Sequence, residues 1–518
     1  MTRKTRPWLF YDTTTALCTT CLRPAEAKIL IKDDQVYMDK WCPAHGMERV
    51  LVSDDAAYYR LCREVYVKPP EMPQRFGTAM RHGCPYDCGL CPDHMQHSCL
   101  AIVEINEHCN LRCPVCYAGS GPDRASHRPL AEVIAMLDAV VASEGTPDVV
   151  QISGGEPTLH PQFFEIMDAA KARPIRHLML NTNGLRIAQD AAFADRLAGY
   201  APGFEVYLQY DSLRREALLD LRGADLRRVR EQALERLNAL DISTTLVVTV
   251  KRGVNDDELG EITRYAMSQP CVRGVTFQPV QQAGRTEGYD PALHRLTVSE
   301  LRRRIAEQSG VFTLDDILPV PCNPDTLAMA YALRQPGGGV LPLTRYVDAR
   351  TLVEGSANTI AFERDLFGPA QAEVSGQVAN VAVDKAVGVA NDIPTSDPSG
   401  DQASDQGPGH QAFLKLFSTN LGPEAQASCL SELMCCLPQI QAPGTLDYRS
   451  VFRILIVQFM DALSMDIRAL KKSCIHFALP DGRMIPFETY NLFYRDEVAS
   501  GLAGIRAELD EQVERRRA

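Results

Sequence analysis

The sequence predicts an α/β protein built on a partial (βα)6 barrel of the TIM type, with a cysteine-rich metal-binding region before it and an α+β region after it. Three observations support this prediction. Short apolar segments alternate with amphipathic helical segments from about residue 100 onward, which is typical of parallel βαβ units. Eleven of the seventeen cysteines lie before residue 117, too unevenly for core packing alone. Residues 371–411 contain no aromatic residue, which favours a disordered linker or insertion.

Composition limits the classes of function. The chain has 518 residues, enough for about two to four domains with separate cores. Its 45% hydrophobic and 23% charged content is typical of a soluble globular protein. The net charge of −12 argues against a nucleic-acid partner, because phosphate binding needs a basic field. We interpret the basic residues near 222–230 and at 515–517 as solvated helix surface.

The sequence also indicates the cellular compartment. The N-terminal residues lack the long apolar core of a signal peptide, and no uninterrupted apolar run approaches the roughly eighteen residues that span a bilayer. We therefore expect a cytoplasmic protein without a transmembrane segment. In that reducing compartment the cysteines are not expected to form a disulfide framework, so metal sites become the leading explanation for them.

The order of these features predicts six regions along the chain. The last of them has the pattern of an apolar segment, an amphipathic helix and a strand-turn-strand around "PDG". In chain order the regions are a rubredoxin- or zinc-ribbon-like knuckle (1–70), a cysteine-rich auxiliary-cluster segment (71–99), the barrel (100–325), a barrel extension (326–370), the linker or insertion (371–411), and a C-terminal domain that is a further candidate for an auxiliary cluster (412–518).

The N-terminal cysteines have the spacing of a mononuclear metal site. The stretches "CTTC" at 18–21 and "WCPAHG" at 41–46 are followed by Cys62. Cys18, Cys21, Cys42 and Cys62 would complete four ligands, with His45 as an alternative fourth. Zinc and iron have similar preferences for thiolates, so either mononuclear Zn or mononuclear Fe fits this pattern.

A second group of cysteines has the spacing of an iron–sulfur cluster. The stretch "CPYDCGLCPDHMQHSC" supplies Cys84, Cys88, Cys91 and Cys99, and Cys322 is an alternative to Cys99. Cys271 lies at the start of a strand and is interpreted as core packing. The spacing of the remaining cysteines is not diagnostic; they are Cys429, Cys435, Cys436 and Cys474.

Six apolar segments are predicted as the strands of the barrel. The helix "LAEVIAMLDAVVAS" that follows the first cysteine loop has Val133, Met136, Leu137 and Val140 at helical spacing. In such folds the chemistry lies at the carboxyl ends of the strands. The predicted strands are residues 100–105, 148–152, 177–181, 204–209, 244–250 and 274–280.

The loop after the first strand carries Cys109, Cys113 and Cys116 in a C-x3-C-x2-C spacing. Three thiolates can hold three corners of a [4Fe–4S] cluster and leave the fourth iron open to a non-protein ligand. By itself the motif is equally compatible with zinc-binding or buried cysteines. Its position at the carboxyl end of a strand favours a catalytic cluster.

Polar turns follow the next strands. In "SGGEPTLH" at 153–160, Gly154 and Gly155 let the backbone approach a ligand closely, Glu156 adds a carboxylate and Pro157 fixes the exit of the turn. Similar strand-end positions hold polar residues that are either ligand contacts or ordinary turn formers. They are Asn181 and Asn183 in "LNTNG", Gln209 and Asp211 in "LQYDS", and Lys251 and Asn255 in "VKRGVND".

The cysteine loop and the "GGEP" turn at 154–157 resemble the radical S-adenosylmethionine (SAM) superfamily over roughly residues 100–290. The resemblance implies that SAM chelates the open iron through its amino and carboxylate groups. One electron, supplied by a reductant such as ferredoxin or flavodoxin, then breaks the sulfonium bond to give methionine and a 5′-deoxyadenosyl radical. That radical abstracts hydrogen from an unactivated carbon.

The same resemblance implies roles for individual residues. Gly154 to Pro157 are expected to contact the methionyl amino group of SAM, and Tyr117 matches the aromatic residue near its adenine. The polar residues at later strand ends are expected to contact SAM or substrate. They are Asn181, Asn183, Gln209 and Asp211.

Most of the chain resembles one subgroup, the class D enzymes that include archaeal tetraether lipid synthases and methylases of methanopterin precursors. The resemblance is carried by the N-terminal knuckle, by "CPYDCGLCPDH" and by "KSCIHFALPDGRMIPFETYN". The sequence departs from this subgroup at Glu488 and at Asp325 and Thr326, where its members carry cysteines. Without these cysteines, the resemblance does not by itself imply every auxiliary cluster of the subgroup or its exact reaction.

The leading hypothesis is a radical SAM enzyme that methylates, or forms a carbon–carbon bond at, a lipid, a pterin or another small molecule. Its expected cofactors are the [4Fe–4S] cluster, SAM, an auxiliary iron–sulfur cluster and the mononuclear metal. A radical SAM peptide or cofactor maturase is an alternative, although no peptide-recognition domain precedes the barrel. A non-enzymatic electron-transfer protein is disfavoured by the cysteine loop followed by "GGEP". No D-x-H-x-x-G segment indicates cobalamin.

Overall fold

The computed structural model describes residues 4–65, 71–335, 339–345, 359–360, 439–440, 450–495 and 498–517. The predicted linker at 371–411 and three of the cysteines lie outside the described residues. Those cysteines are Cys429, Cys435 and Cys436.

The N-terminal region is a four-stranded antiparallel meander followed by a helix, α1. Buried and exposed residues alternate along β2, because only one face of the sheet packs on a core. Asp55 caps α1 by accepting a hydrogen bond from the backbone N–H of Tyr58. The bounds are β1 Leu9–Leu17, β2 Pro24–Lys32, β3 Gln35–Cys42, β4 Gly46–Ser53 and α1 Ala56–Glu64.

The six predicted strands are present as consecutive parallel neighbours in one sheet. Almost every residue of these strands is buried, because parallel strands are covered on both faces. Their bounds are β5 Leu100–Glu104, β7 Val149–Ser153, β8 His177–Thr182, β9 Phe204–Gln209, β10 Thr244–Val250 and β11 Val272–Pro279.

Helices connect these strands. The four residues of α2 predicted from helical spacing are all at most 1% exposed. The helices are α2 Leu130–Glu144, α3 Phe163–Lys171, α4 Leu185–Gln189, α5 Ala191–Ala198, α6 Arg215–Arg222, α7 Arg227–Ala239, α8 Leu259–Ser268, α9 Pro291–His294 and α10 Val298–Ser309. Later in the chain follow α11 Ile467–Leu470, α12 Phe487–Thr489, a π-helical turn Tyr490–Tyr494 and α13 Ala499–Arg517. Among the described helices, none combines the length and apolarity needed to cross a membrane.

The C-terminal region contributes two further parallel strands to the same sheet. β18 (Val451–Val457) pairs with β11, and β19 (Ile475–Ala478) pairs with β5. Both segments belong to the region predicted as a separate C-terminal domain, since no local pattern indicates pairing with strands far away in the chain. The other strands are β6 Val115–Cys116, β12 Arg285–Thr286, β13 Leu318–Pro319, β14 Leu327–Arg334, β15 Val340–Pro342, β16 Thr359–Ile360, β17 Gln439–Ile440 and β20 Met484–Pro486.

A buried ionic network ties β18 to the sheet. The Glu205 carboxylate on β9 is fully buried and accepts hydrogen bonds from His177 Nε2 at 3.1 Å and Arg453 Nη2 at 2.8 Å. Burial opposes ionisation of Glu205, but Arg453 and His177 hold its pKa well below the usual range. The C-terminal region is therefore joined to β8 and β9 by charge as well as by apolar packing.

Candidate active site and metal centres

The Cys109 loop lies at the carboxyl end of β5 and is fixed by a segment that follows β11. Cys116 in β6 pairs with Arg285 in β12. The Arg285 guanidinium donates from Nε to the carbonyl of Cys113 at 2.6 Å and from Nη2 to the carbonyl of Ser120 at 2.6 Å. Arg285 thus holds the loop through its backbone carbonyls, and the thiols take no part in these contacts. Cys109, Cys113 and Cys116 all line one cavity.

The electrostatics of these thiols fit a metal-bound group. Burial, with Glu156 and the neighbouring thiols, raises the pKa of Cys109 to about 12. Burial also raises the pKa of Cys113, although the nearby Arg222 opposes this shift. Thiols with raised pKa values ionise at neutral pH only when a cation compensates the charge, as an iron–sulfur cluster does. The donor set therefore fits the predicted [4Fe–4S] cluster.

The glycine turn packs directly against the cysteine loop. Gly155 N–H donates to the carbonyl of Asn106 at 2.9 Å, and Glu156 N–H donates to the carbonyl of His108 at 2.8 Å. A Cβ on Gly154 or Gly155 would collide with the backbone of residues 106–108, and Gly154 has φ = +142°. The glycines also line the cavity. The two glycines therefore let the backbone of the turn approach the cysteine loop closely.

Glu156 and Pro157, predicted to contact SAM, lie behind this turn and do not line the cavity. The Glu156 carboxylate is 1% exposed, and burial raises its pKa. It accepts hydrogen bonds from Thr158 Oγ1 at 2.6 Å, Thr182 Oγ1 at 2.8 Å and Asn183 N–H at 2.8 Å. These bonds occupy its oxygens, so Glu156 positions the turn against the end of β8.

A chain of polar side chains crosses three strand ends beside the cavity, and all of its members except Ser153 line it. Tyr117 Oη lies 3.3 Å from Ser153 Oγ, which accepts from Asn181 Nδ2 at 3.1 Å. Gln209 Nε2 donates to Asn181 Oδ1 at 2.8 Å, and Arg222 Nη2 donates to Gln209 Oε1 at 3.2 Å. The structure therefore brings the predicted Tyr117, Asn181 and Gln209 together. Contact of these residues with SAM stays a prediction.

Asp211 lies behind the cavity wall, where it pairs with two arginines. Its Oδ2 accepts from Arg222 Nε at 2.7 Å and from Arg230 Nη2 at 2.6 Å. Burial opposes ionisation of Asp211, but these two arginines lower its pKa to about 2. It is fully buried and, unlike the arginines, does not line the cavity. Asp211 is thus placed as a positioning residue rather than in contact with a cofactor.

The interpretation of residues 222–230 as solvated helix surface is wrong for Arg222 and Arg230. Their side chains are 11% and 1% exposed, because Asp211 compensates their charge. The sequence signal for this pair is an acidic residue, Asp211, two positions after the end of β9.

Three other predicted residues serve local structure. Asn183 Nδ2 donates to Asn110 Oδ1 at 2.7 Å and lines the cavity. Lys251 Nζ donates to Asp220 at 2.8 Å. Asn255 Nδ2 donates to the Asp211 carbonyl at 2.9 Å. The turn-forming interpretation therefore describes Asn255.

The cavity has a volume of ≈ 280 Å³ and mostly apolar walls, with polar groups near the cysteine loop. Gln281, just after β11, lines it and is 9% exposed. Among the described residues, neither its amide nitrogen nor its amide oxygen has a hydrogen-bond partner. Buried amides are normally satisfied, so Gln281 is placed to bind a ligand. Sequence reasoning missed it, since only its position after a strand distinguishes it.

The N-terminal metal site is formed at one end of the meander. Cys18 Sγ and Cys42 Sγ lie 3.4 Å and 3.5 Å from His45 Nδ1, and Cys21 Sγ lies 3.9 Å from Cys42 Sγ. All four ligand atoms lie within 4.8 Å of one another. Tetrahedral ligands at about 2.0–2.3 Å from one metal ion are separated by about 3.3–3.8 Å. The observed spacing fits a single ion.

Cys62, predicted as the fourth ligand of this site, lies outside it, and the alternative ligand His45 takes the position. Cys62 is on α1 and packs in the main apolar core beside Tyr58. Burial there raises its pKa to about 12. The C-x2-C pair lies in the β1–β2 turn and the C-x2-H pair in the β3–β4 turn, at the same end of the meander, whereas Cys62 lies on α1.

The second predicted cysteine group is divided. Cys99 joins Cys322 and Cys474, whose sulfurs all lie within 4.8 Å, rather than Cys84, Cys88 and Cys91. Cys99 separates from the preceding cysteines because it directly precedes β5, and Cys474 directly precedes the neighbouring β19. The alternative ligand Cys322 thus lies next to Cys99, and Cys474 joins them. Metal binding by these residues stays a prediction.

We expect that replacing Cys18 and Cys21 with serine removes one metal ion per chain, because only two ligands of the four-ligand site would remain. SAM cleavage should at least partly survive, since the Cys109 loop is a separate site. Metal analysis of the purified protein measures this. Cys62→Ala is the matched control and should leave the metal content unchanged. Full metal content in a folded double variant would contradict the assignment.

Comparison with known families agrees with this geometry. Residues 103–266 match the family model "Radical SAM superfamily", and residues 10–54 match the "HMPTM N-terminal zinc ribbon domain". The two matches cover the cysteine loop with most of the parallel strands, and the meander with Cys18, Cys21, Cys42 and His45. The second match supports the N-terminal group as a metal-binding region. The auxiliary iron–sulfur cluster stays a prediction.

Relatives extend the match to the whole chain. The 7,8-dihydro-6-hydroxymethylpterin dimethyltransferase of Methanocaldococcus jannaschii is 29% identical over 517 residues, covering 94% of each chain. A GTP 3′,8-cyclase of Chlorobaculum tepidum is 29% identical over 204 residues, covering 38% of this chain and 59% of the relative. Streptococcus suis SuiB bound to precursor peptide SuiA superposes with a TM-score of 0.33 at 16% identity, covering 39% and 44% of the two chains. The cysteine loop and its glycine turn, together with the match over residues 103–266, show that the chain contains a radical SAM domain and is an enzyme, and over its full length it is similar to a methyltransferase.

Proposed function

We propose that this enzyme methylates a carbon atom of a pterin-type substrate, in a reaction that begins with hydrogen abstraction from that substrate. The observation that carries the proposal is the relative named for methyl transfer to a hydroxymethylpterin, which aligns with 94% of both chains. The cavity beside the cysteine loop has mostly apolar walls and a few polar side chains, as sites for small molecules with a ring system do. The six central βα units act as the partial barrel around this cavity.

The residues of this chain would bind and orient the reactants. Cys109, Cys113 and Cys116 would hold the [4Fe–4S] cluster, which together with SAM supplies a carbon-centred radical after reduction by a ferredoxin or flavodoxin. Gly154 and Gly155 keep the turn against the cysteine loop, and Asn181 and Gln209 present amides to the cavity. The apolar walls exclude water and stray hydrogen donors.

Deuterium transfer tests the proposal without knowledge of the methyl donor. Reconstituted, reduced protein is incubated with SAM and 7,8-dihydro-6-hydroxymethylpterin deuterated at its carbon-bound positions. We expect 5′-deoxyadenosine to gain one deuterium, measured by mass spectrometry. A parallel incubation uses a deuterated isoprenoid lipid. Deuterium transfer from the lipid and none from the pterin would overturn the proposed substrate class.

We expect Gln281→Leu to weaken pterin binding by roughly tenfold or more, because a lost hydrogen bond from a buried amide costs about 1–3 kcal/mol. SAM cleavage without substrate should continue. Equilibrium titration with the pterin measures the Kd. Gln282→Leu changes an exposed neighbour and is the matched control. An unchanged Kd for the pterin would contradict a role in substrate binding.

A further inference from the structure

The N-terminal meander contacts the cavity wall through the segment that connects β18 to α11. This segment, residues 458–466, is called here the 458–466 loop. Val457, at the end of β18, and Phe459 both line the cavity. The Phe459 ring stacks on that of Phe487, another lining residue, with the ring centroids 3.6 Å apart. The loop is therefore part of the wall, although it lies outside the six predicted barrel strands.

Lys40 joins the metal-binding turn of the meander to this loop. Its side chain, on β3, is buried, and its Nζ donates to the carbonyls of Leu463 at 2.9 Å and Ala462 at 3.3 Å. Nζ also donates to Thr19 Oγ1 at 3.0 Å, and Thr19 stands between the two cysteines of the C-x2-C pair. Lysine is almost never fully buried unless its charge is paired. The Glu48 carboxylate, 2.7 Å from Nζ, supplies that charge.

The same loop holds the backbone next to Gln281. The buried Asp461 accepts a hydrogen bond at Oδ2 from the backbone N–H of Gln282 at 3.1 Å. Its Oδ1 accepts from Ser464 Oγ at 2.8 Å and from Ser464 N–H at 3.0 Å. Asp461 therefore links the part of the loop bound by Lys40 to the cavity-lining amide of Gln281, whose position depends on the backbone beside it.

Other contacts keep the loop attached to the meander when Lys40 is changed. Thr14 Oγ1 on β1 donates to Asp466 Oδ1 at 2.6 Å, and Ala16 forms a β-bridge with Asp466. Asp12 on β1 pairs with Arg468, just after the loop. Loss of the Lys40 ammonium should therefore loosen the loop locally rather than detach the whole region.

We infer that Lys40 is a positioning residue for substrate binding. It connects the metal-binding turn to the 458–466 loop, and through Asp461 it keeps the Gln281 amide in place in the cavity wall. An intact metal-binding turn is then needed for tight binding of the substrate but not for SAM cleavage at the Cys109 loop. Contact of Gln281 with a pterin rests on the proposed function. The connection from Lys40 to Gln281 does not.

Amide hydrogen exchange tests this connection in the full chain without any substrate. Lys40→Met removes the ammonium donors and keeps a side chain of similar length. We expect exchange of the Ser464 and Gln282 N–H groups to become roughly tenfold faster or more, because hydrogen bonds from a charged donor are lost. Lys28→Met changes an exposed lysine on β2 of the same meander and should leave both rates unchanged. Unchanged rates in folded Lys40→Met would overturn the inference.

Two further proteins test the two ends of the connection. The double variant Cys18→Ser, Cys21→Ser should speed exchange of the Gln282 N–H, because the turn bonded to Lys40 loses its metal. Asp461→Ala should speed the same exchange without altering the meander, which keeps the inference testable if Lys40→Met does not fold. Exchange at the natural rate in either folded protein would overturn the inference.

A double-mutant cycle separates positioning of Gln281 from general destabilisation. Lys40→Met should raise the Kd for 7,8-dihydro-6-hydroxymethylpterin roughly tenfold, while SAM cleavage without substrate continues. In a Gln281→Leu background the same change should alter this Kd less than about twofold, because it acts through an amide that is already removed. Equal effects in the two backgrounds would overturn the inference.

Failure of the proposed function gives a different result. The natural protein would then neither bind this pterin nor transfer deuterium from it. Faster exchange at Gln282 in Lys40→Met would still support the connection from the metal-binding turn to the cavity wall, and unchanged exchange would still overturn it.

Discussion

Cys113→Ala is expected to abolish reductive cleavage of SAM. Loss of a side chain that only orients a metal ligand already lowers metal affinity or activity about 10–100-fold. Loss of one of the three cluster ligands should therefore lower the rate of SAM cleavage more than about 100-fold. The chain offers no other described thiol within the Cys109 loop to replace it. Production of 5′-deoxyadenosine by the anaerobically reconstituted, reduced protein measures the effect.

Cys271→Ala is the matched control for this experiment. Cys271 is fully buried in the apolar core, directly before β11, and belongs to none of the cysteine groups found among the described residues. Cys271→Ala should lower the free energy of unfolding modestly and should leave iron content and 5′-deoxyadenosine production unchanged. Full SAM cleavage by Cys113→Ala would show that the cluster is held elsewhere.

Asp211→Asn is expected to destabilise the barrel by about 3–5 kcal/mol, the range for removing one partner of a buried ion pair. The substitution leaves Arg222 and Arg230 without their shared carboxylate, and the Arg230 side chain is 1% exposed. Arg222 should also lose its position beside Cys113. The melting temperature of the anaerobic protein and amide exchange in β9 and β10 measure this effect.

The exposed ion pair between Asp225 and Arg227 is the control. Their side chains are 35% and 50% exposed, so Asp225→Asn should cost less than about 1 kcal/mol. Equal melting temperatures for the two variants would contradict the role of Asp211.

The effect of Asp211→Asn should depend on pH in a defined direction. The folded pKa of Asp211 is about 2, below the value of about 3.9 in an unfolded chain. A carboxylate with a lowered pKa stabilises the fold above the unfolded pKa, and this stabilisation is lost as the pH falls through the folded value. The difference between the variant and the natural protein should be constant from about pH 5 to 8 and should shrink between about pH 4 and 2. A difference that grows on acidification would contradict this account.

Several features could be predicted from local sequence patterns. The six central strands, the apolar face of α2 and the cysteine loop with its glycine turn each occupy a few consecutive residues. Their hydrophobic period or ligand spacing is therefore independent of the rest of the fold. For the N-terminal metal site the sequence left two candidates for the fourth ligand, His45 and Cys62. Short spacing limits which residues can bind the metal but does not select among them.

Tertiary structure alone decided the features that join distant segments. β18 and β19 enter the sheet beside β11 and β5, and this pairing carries Cys474 next to Cys99 while the loop before β14 brings Cys322 to them. Arg222 on α6 and Arg230 on α7 are buried because Asp211 faces both of them from the loop after β9. The ligand spacing of the Cys109 loop is a local property of the chain, since all three thiols lie within eight residues. The sequence by itself could not determine the second thiol group or the arginine pair, because strand order and charge compensation between distant residues have no local periodicity.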